Sequence, residues 1–115
     1  MSTLISFESV AQECATFYNP QSLQQGALCK PTASKNIAAC ADGDDFIGVV
    51  ANTQGGLASV IFHGFVTVPY SGTAPACGLC GLAADGNGEV KVSTSAHKRF
   101  VVSFDIMNKT VTILL

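Results

Sequence analysis

Short apolar runs separated by turn residues follow one another from residue 26 to the C-terminus, and this pattern limits the chain to a β-rich fold. Each run is shorter than a typical helix, and glycine, asparagine, aspartate or proline stands between most neighbours. Gly64 is a predicted bend or bulge between two of the runs. The runs that we predict as strands are residues 27–29, 37–41, 46–51, 57–63, 65–68, 89–92, 99–104 and 110–114.

Alternation within the runs indicates how they are buried. Val111 and Ile113 alternate with threonines, as in a strand that turns one face to the core. Residues 46–50 are nearly all apolar, which is typical of a strand covered on both faces. Eleven glycines and regular turns favour a barrel or a sandwich. We therefore predict an all-β fold, a small β-barrel or β-sandwich of short antiparallel strands, with no internal repeat.

The first 25 residues differ in composition from the rest. They contain four glutamines, two glutamates and one asparagine, their apolar residues are irregularly spaced, and Asn19-Pro20 interrupts any regular element. A chain of 115 residues has the size of one domain. We expect residues 1–25 to be an N-terminal arm or edge segment and residues 26–115 to be a single β domain.

Low charge narrows the function classes. Only 12% of residues are charged and 48% are hydrophobic, a composition that excludes disorder. The net charge of −2 leaves no basic surface for nucleic acid, and no apolar stretch is long enough for a transmembrane helix. We therefore expect neither nucleic acid nor a membrane as a partner. Residues 1–10 contain no lysine or arginine and do not fit a signal peptide, so we expect a reducing compartment.

Cys77 and Cys80 form the sharpest local motif, Cys-x-x-Cys-Gly, in a predicted loop. Two thiolates at this spacing can share a zinc ion or act as a redox dithiol. A closed zinc site needs two more ligands, and Cys14, Cys29 and Cys40 supply no second pair at this spacing. No helical pattern follows the motif, as a dithiol oxidoreductase requires. We expect no cofactor and predict mainly small buried thiols, with Cys77 and Cys80 as the weak metal candidate.

No catalytic set emerges from the other polar residues. His63 lies in an apolar run without an acid near it in sequence, and His97 stands in a polar stretch beside two basic residues. The acidic runs at residues 42–45 and 85–88 are predicted to be turns with solvated carboxylates, because neither supplies the oxygens that calcium needs. The sequence therefore predicts a protein that is not an enzyme.

Aromatic side chains are the remaining candidates for a function. A chain with so few charges can use them at a protein–protein interface as well as in its core. The candidate interface residues are Phe7, Phe17, Tyr18, Phe65 and Tyr70.

Four motifs carry a family resemblance. They are GALCK at residues 26–30, GDDFIGVV at 43–50, ASVIFHGFVTVP at 58–69 and GNGEVKV at 86–92. In this order they resemble small structural proteins of tailed phages and prophages, of the capsid decoration or head-fibre type. The resemblance covers about residues 26–115 and rests on glycine, aspartate and β-branched residues. The cysteine pair departs from it, because such proteins need no cysteines in that loop.

The resemblance implies a non-enzymatic structural role. Such a protein binds a capsid lattice and stabilises it against internal pressure. Its partners are the capsid protein and itself, as a homo-oligomer such as a trimer, and residues 1–25 would serve as a docking arm. Its location is the virion, or the bacterial cytoplasm when it is expressed from a prophage. Two alternatives stay open, a small thiol or zinc module built on Cys77 and Cys80, and a generic bacterial β-barrel binding domain.

Overall fold

Ten β-strands form the fold in the computed structural model, which describes residues 11–115. The first five are β1 (Glu13–Tyr18), β2 (Leu28–Ala33), β3 (Asn36–Ala39), β4 (Gly48–Gln54) and β5 (Leu57–His63). The second five are β6 (Phe65–Ser71), β7 (Gly78–Ala84), β8 (Val90–Val92), β9 (Lys98–Asp105) and β10 (Thr110–Leu114). The described residues contain no helix that is long and apolar enough to cross a membrane.

Each set of five strands closes into a small barrel. Barrel one has the strand order β1-β3-β2-β4-β5 and barrel two the order β6-β8-β7-β9-β10, and in both the last strand pairs with the first. Neighbouring strands are antiparallel, except that β1 with β3 and β6 with β8 are parallel. The predicted all-β fold with a small barrel is confirmed, and the chain forms two barrels in succession.

The two barrels repeat one topology. Each strand of barrel two has the same neighbours, in the same orientation, as its counterpart in barrel one. They also share a β-bulge, because Ala51 in β4 and Val102 in β9 are extra residues at the same place in the ladder with the following strand. The prediction of no internal repeat is therefore wrong at the level of structure. The repeat lies in the backbone pairings, and the side chains have diverged.

Three residues lie side by side on the outer wall of barrel one. Leu28 is opposite Val49 and Val49 is opposite Ile61, on β2, β4 and β5; we call them the first row. All three are buried in the main core together with the interior side chains of barrel two. Their chain neighbours Cys29 and Val50 belong to a separate core inside barrel one. Strands β2, β4 and β5 thus pack apolar side chains on both faces, as the composition of β4 predicts.

The loop between β3 and β4 fastens barrel one to barrel two. Ala84 of β7 donates its N–H to the carbonyl oxygen of Asp44 at 2.9 Å and accepts a hydrogen bond from the N–H of Gly43 at 2.8 Å. Asp42 forms an ion pair of 2.5 Å with Lys91 of β8. The backbone of the loop therefore continues the hydrogen bonding of barrel two.

The same loop also contacts β9 and the turn before it. The carboxylate of Asp45 accepts a hydrogen bond from the N–H of His97 at 3.2 Å. The guanidinium of Arg99 donates to the carbonyl oxygen of Phe46 and lies 4.8 Å from the centre of its ring, a cation–π arrangement. Residues 42–45 do form the predicted turn, but their carboxylates bind specific partners, which the prediction of merely solvated groups missed.

The predicted strands at residues 27–29, 37–41 and 57–63 overlap β2, β3 and β5, and the later runs also match strands. Gly64 forms the predicted bend between β5 and β6. The predicted loop around the cysteine motif holds for Cys77 but is wrong for Cys80, because Gly78–Ala84 is a strand paired with β8 and β9. Within residues 1–25, β1 pairs with β5 along its length and with β3 at one position.

Gly48 of β4 leaves no room for a side chain. A Cβ at this position would lie 2.4 Å from the carbonyl oxygen of Ile61 and 2.7 Å from a methyl carbon of Val60. We expect Gly48→Ala to lower the free energy of unfolding by about 3 kcal/mol in urea denaturation, because β4 and β5 must separate.

Gly72→Ala is the matched control for this variant. Gly72 has a φ of 72° and nothing within 4 Å of an added Cβ, so only the left-handed backbone opposes the substitution, at about 1 kcal/mol. Equal losses for the two variants would contradict the close approach of β4 to β5.

Candidate binding surface

A row of apolar side chains crosses the outer wall of barrel two at the position that the first row occupies in barrel one. Leu79 is opposite Phe100 and Phe100 is opposite Leu114, on β7, β9 and β10; we call them the second row. Leu79 is 73% exposed and Phe100 is 44% exposed, and Leu114 is half-buried. Phe65 of β6 continues the line opposite Leu114. The first row is buried between the barrels, whereas its counterpart faces outward.

The wall around the second row carries little charge. Strands β6, β7 and β10 contain no charged residue, and β9 carries charge only near its ends, on Lys98, Arg99 and Asp105. Arg99 turns inward over the ring of Phe46. Burial lowers the pKa of Arg99, and the neighbouring carboxylate of Asp45 opposes that change. Lys98 and Asp105 are exposed. An apolar centre with charges only at its margin is the composition of an interface core and rim.

The five predicted interface residues lie in different places. Tyr18 is 56% exposed on β1, and Phe65 is half-buried at the end of the second row. Phe17 is half-buried and packs against the core of barrel one. Tyr70 is only 3% exposed and belongs to the main core. Its ring is therefore not available to a partner, and the prediction of Tyr70 as an interface residue is wrong. Phe7 lies outside the described residues.

The Cys-x-x-Cys motif lies at the start of β7. Cys77 is exposed, whereas Cys80 is half-buried and packs against the main core. Successive strand residues point to opposite faces, so Leu79 points outward and Cys80 inward. Cys77 precedes the strand, which begins at Gly78. Among residues 11–115, no group of three or more histidine, cysteine, aspartate or glutamate side chains could hold a metal ion.

Two further thiols are unreactive because of their surroundings. Burial, together with the nearby Cys40, raises the pKa of Cys29 to about 12. Burial and the carboxylate of Asp44 raise the pKa of Cys40 to about 11. Both thiols stay protonated at neutral pH, and a protonated thiol is a poor nucleophile and a poor metal ligand.

Asp85 closes the turn between β7 and β8. Its carboxylate accepts hydrogen bonds from the N–H of Asn87 at 2.7 Å, the hydroxyl of Ser71 at 2.7 Å and the N–H of Glu89 at 3.1 Å. Desolvation raises the pKa of Asp85, but these hydrogen bonds outweigh it and hold the pKa below the usual value. The predicted turn at residues 85–88 thus has an ordered carboxylate at its centre.

Two other carboxylates hold turns in a similar way. The hydrogen bond from Lys30 is the main cause of a lowered pKa at Asp44, which also accepts the N–H of Ala41 at 2.8 Å. The N–H of Asn108 is the main cause of a lowered pKa at Asp105. These aspartates stabilise loops.

The sequence interpretation missed the second row. Leu79 fell in the predicted loop, and the matching of Phe100 with Leu114 depends on the strand register. One signal was available, because the segments that became β6, β7 and β10 contain no charged residue. Only the pairing shows that these uncharged segments share one wall.

Comparison with known proteins assigns no family. No protein-family model matches the sequence, and no curated protein matches it at a significant level. The resemblance to phage structural proteins therefore stays a prediction.

Thiol titration of the native protein checks the burial of the cysteines. We expect Cys14 and Cys77 to react rapidly with Ellman's reagent because both are exposed. Cys29 should react only after unfolding, because it is buried and its pKa is about 12. Cys77→Ser should remove one rapid thiol and Cys29→Ser should remove none. Rapid modification of Cys29 in the folded protein would contradict this placement.

The lowered pKa values of Asp44, Asp85 and Asp105 predict a loss of stability in acid. A carboxyl group whose folded pKa is below its unfolded value of about 3.9 stabilises the fold above that pH, and the contribution disappears as the pH falls through the folded pKa. We expect the free energy of unfolding to fall between about pH 5 and pH 2, as measured by urea denaturation. Asp85→Asn should show a smaller fall, and an unchanged pH profile for this variant would exclude the role assigned to Asp85.

Proposed function

We propose that the chain is a non-enzymatic structural protein of a phage or prophage virion, which binds and stabilises a capsid through protein–protein contacts. Its partners are the capsid protein and further copies of itself. It acts in the virion, or waits in the bacterial cytoplasm when a prophage expresses it.

The second row is the observation that supports a binding role. Neighbouring strands are about 4.8 Å apart, so a line of apolar side chains over four strands spans roughly 14 Å. A continuous apolar patch of this kind, with few charges around it, marks an interaction site. Covering it with a partner displaces water from Leu79 and Phe100 without removing a charged group from solvent.

The sequence resemblance supports the choice of partner. Its motif at residues 43–50 supplies part of the loop that fastens the two barrels and the beginning of β4. Its motif at residues 58–69 supplies most of β5 and the beginning of β6. The residues that carry the resemblance therefore lie in the loop that joins the two barrels and in strands β4, β5 and β6. Strand β6 belongs to the wall of barrel two that carries the second row.

The alternatives fit the geometry less well. A zinc module needs further ligands beside Cys77 and Cys80, and residues 11–115 contain no group of three or more histidine, cysteine, aspartate or glutamate side chains that could hold a metal ion. A thiol module needs both thiols to be accessible, and Cys80 is half-buried. A generic bacterial β-barrel binding domain would use the same second row with a different partner, so the identity of the partner distinguishes it from the virion protein.

Purified particles test the proposal. A tagged chain is expressed in the bacterium that carries its gene, phage production is induced, and capsids are isolated on a density gradient. We expect the chain to sediment with the capsids. A variant with both Leu79→Glu and Phe100→Glu should bind capsids with an affinity at least about thirtyfold lower, because an interface centre loses about 2 kcal/mol or more when its anchors are lost.

Met107→Glu is the matched control. Met107 is an apolar residue that is 93% exposed in the β9–β10 turn, away from the second row, and its substitution should leave the bound amount unchanged. Capsids that never contain the wild-type chain would refute the virion assignment. Binding that survives in the double variant would refute the role of the second row.

A further inference from the structure

The internal repeat gives the second row a physical interpretation. In barrel one, the row on the second, fourth and fifth strands packs against the neighbouring barrel. In barrel two, the row at the same register has no neighbouring barrel within residues 11–115, and Leu79 and Phe100 are exposed. The same wall is thus a packing surface in one copy of the repeat and an open surface in the other.

The charges on β9 indicate what covers this wall. Lys98 lies opposite Gly81, two residues before the outward-facing Phe100. Beyond the bulge, Ser103 lies opposite Thr112 and Asp105 opposite Thr110. Strand alternation puts Lys98 and Asp105 on the outer face together with Phe100. The outer face of β9 therefore begins with a positive charge and ends with a negative one.

A second copy of this wall matches these charges in one orientation. When a twofold axis runs in the contact plane, perpendicular to the strands, each β9 faces the other in the antiparallel sense. Lys98 of one copy then approaches Asp105 of the other, twice, at the margins of the contact. With the axis parallel to the strands, equal charges would face each other, which is unfavourable. The first orientation also places Phe100 over the small side chain of Ser103.

We propose that the outer wall of barrel two packs against the same wall of another copy of the chain, forming a symmetric dimer with antiparallel β9 strands, in which the two second rows lie side by side across the twofold axis. This inference rests on the proposed function, since it names the surface through which the virion protein self-associates. It specifies a twofold dimer where the resemblance implied a trimer. Two flat sheets pack about 10 Å apart, within reach of the lysine side chain at the margin.

Sedimentation equilibrium of the purified full chain tests the dimer, with circular dichroism to confirm folding of each variant. We expect the wild type to dimerise reversibly. Leu79→Glu should weaken the dimer at least about thirtyfold, and Leu57→Glu, at a 41% exposed apolar residue on β5 of barrel one, should leave it unchanged. Lys98→Glu should weaken it about tenfold, because two attractive pairs become repulsive.

Exchanging the charges of Lys98 and Asp105 distinguishes a dimer of defined orientation from nonspecific hydrophobic association. Lys98→Glu combined with Asp105→Lys reverses both partners, so the double variant should dimerise more tightly than Lys98→Glu alone. Lys35→Glu on barrel one alters the net charge as Lys98→Glu does and should have no effect. Asp105 also holds its turn, so if the double variant unfolds, the comparison of Lys98→Glu with Lys35→Glu decides.

Three outcomes would overturn the inference: a wild type that stays monomeric at high concentration, a trimer or open-ended series, or a dimer insensitive to both Leu79→Glu and Lys98→Glu. The virion assignment has a separate readout. A monomeric chain that still sediments with capsids would refute the dimer and support the proposed function. A dimer that is absent from capsids would support the dimer and refute the proposed function.

Discussion

Strands β2, β4 and β5 pack apolar side chains on both faces, and the relation between the two barrels depends on this wall. One face of the wall closes the interior of barrel one, around Cys29 and Val50, and the other carries the first row into the main core. A polar side chain in the first row would lack a hydrogen-bonding partner in an apolar core. At Gly48, β4 approaches β5 so closely that an added Cβ would meet the carbonyl oxygen of Ile61.

The loop between β3 and β4 converts this apolar contact into a defined orientation. Apolar packing is non-directional, so the first row by itself fixes the two barrels loosely. The paired hydrogen bonds with Ala84, the ion pair of Asp42 with Lys91, and the contact of Arg99 with Phe46 are directional. Exposed ion pairs contribute little stability, and their role here is to set the register of one barrel on the other.

Much of the fold was predictable from the sequence, because strand and turn signals are local. The alternation of Val111 and Ile113 predicted β10, and the apolar run in β4 predicted burial on both faces. The loop assigned around Cys77 and Cys80 was wrong for Cys80, because glycines weakened the signal of a strand that forms by pairing with β8 and β9. The repeat and the second row could not be predicted from the sequence, since both depend on which strands become neighbours and in what register. Tyr70 was within reach, because it continues the alternation of Val66 and Val68 on the buried face of β6, but the predicted strand ended at residue 68.

The succession of the barrels along the chain has a consequence for synthesis. Barrel one is complete once residue 63 has left the ribosome, whereas the strands that cover its first row come later, between residues 65 and 114. Chains fold from the N-terminus as they emerge, so for some seconds the nascent protein presents Leu28, Val49 and Ile61 to water. The newly made first half therefore exposes an apolar surface that favours aggregation. A fragment that ends near Gly64 would expose the same surface permanently.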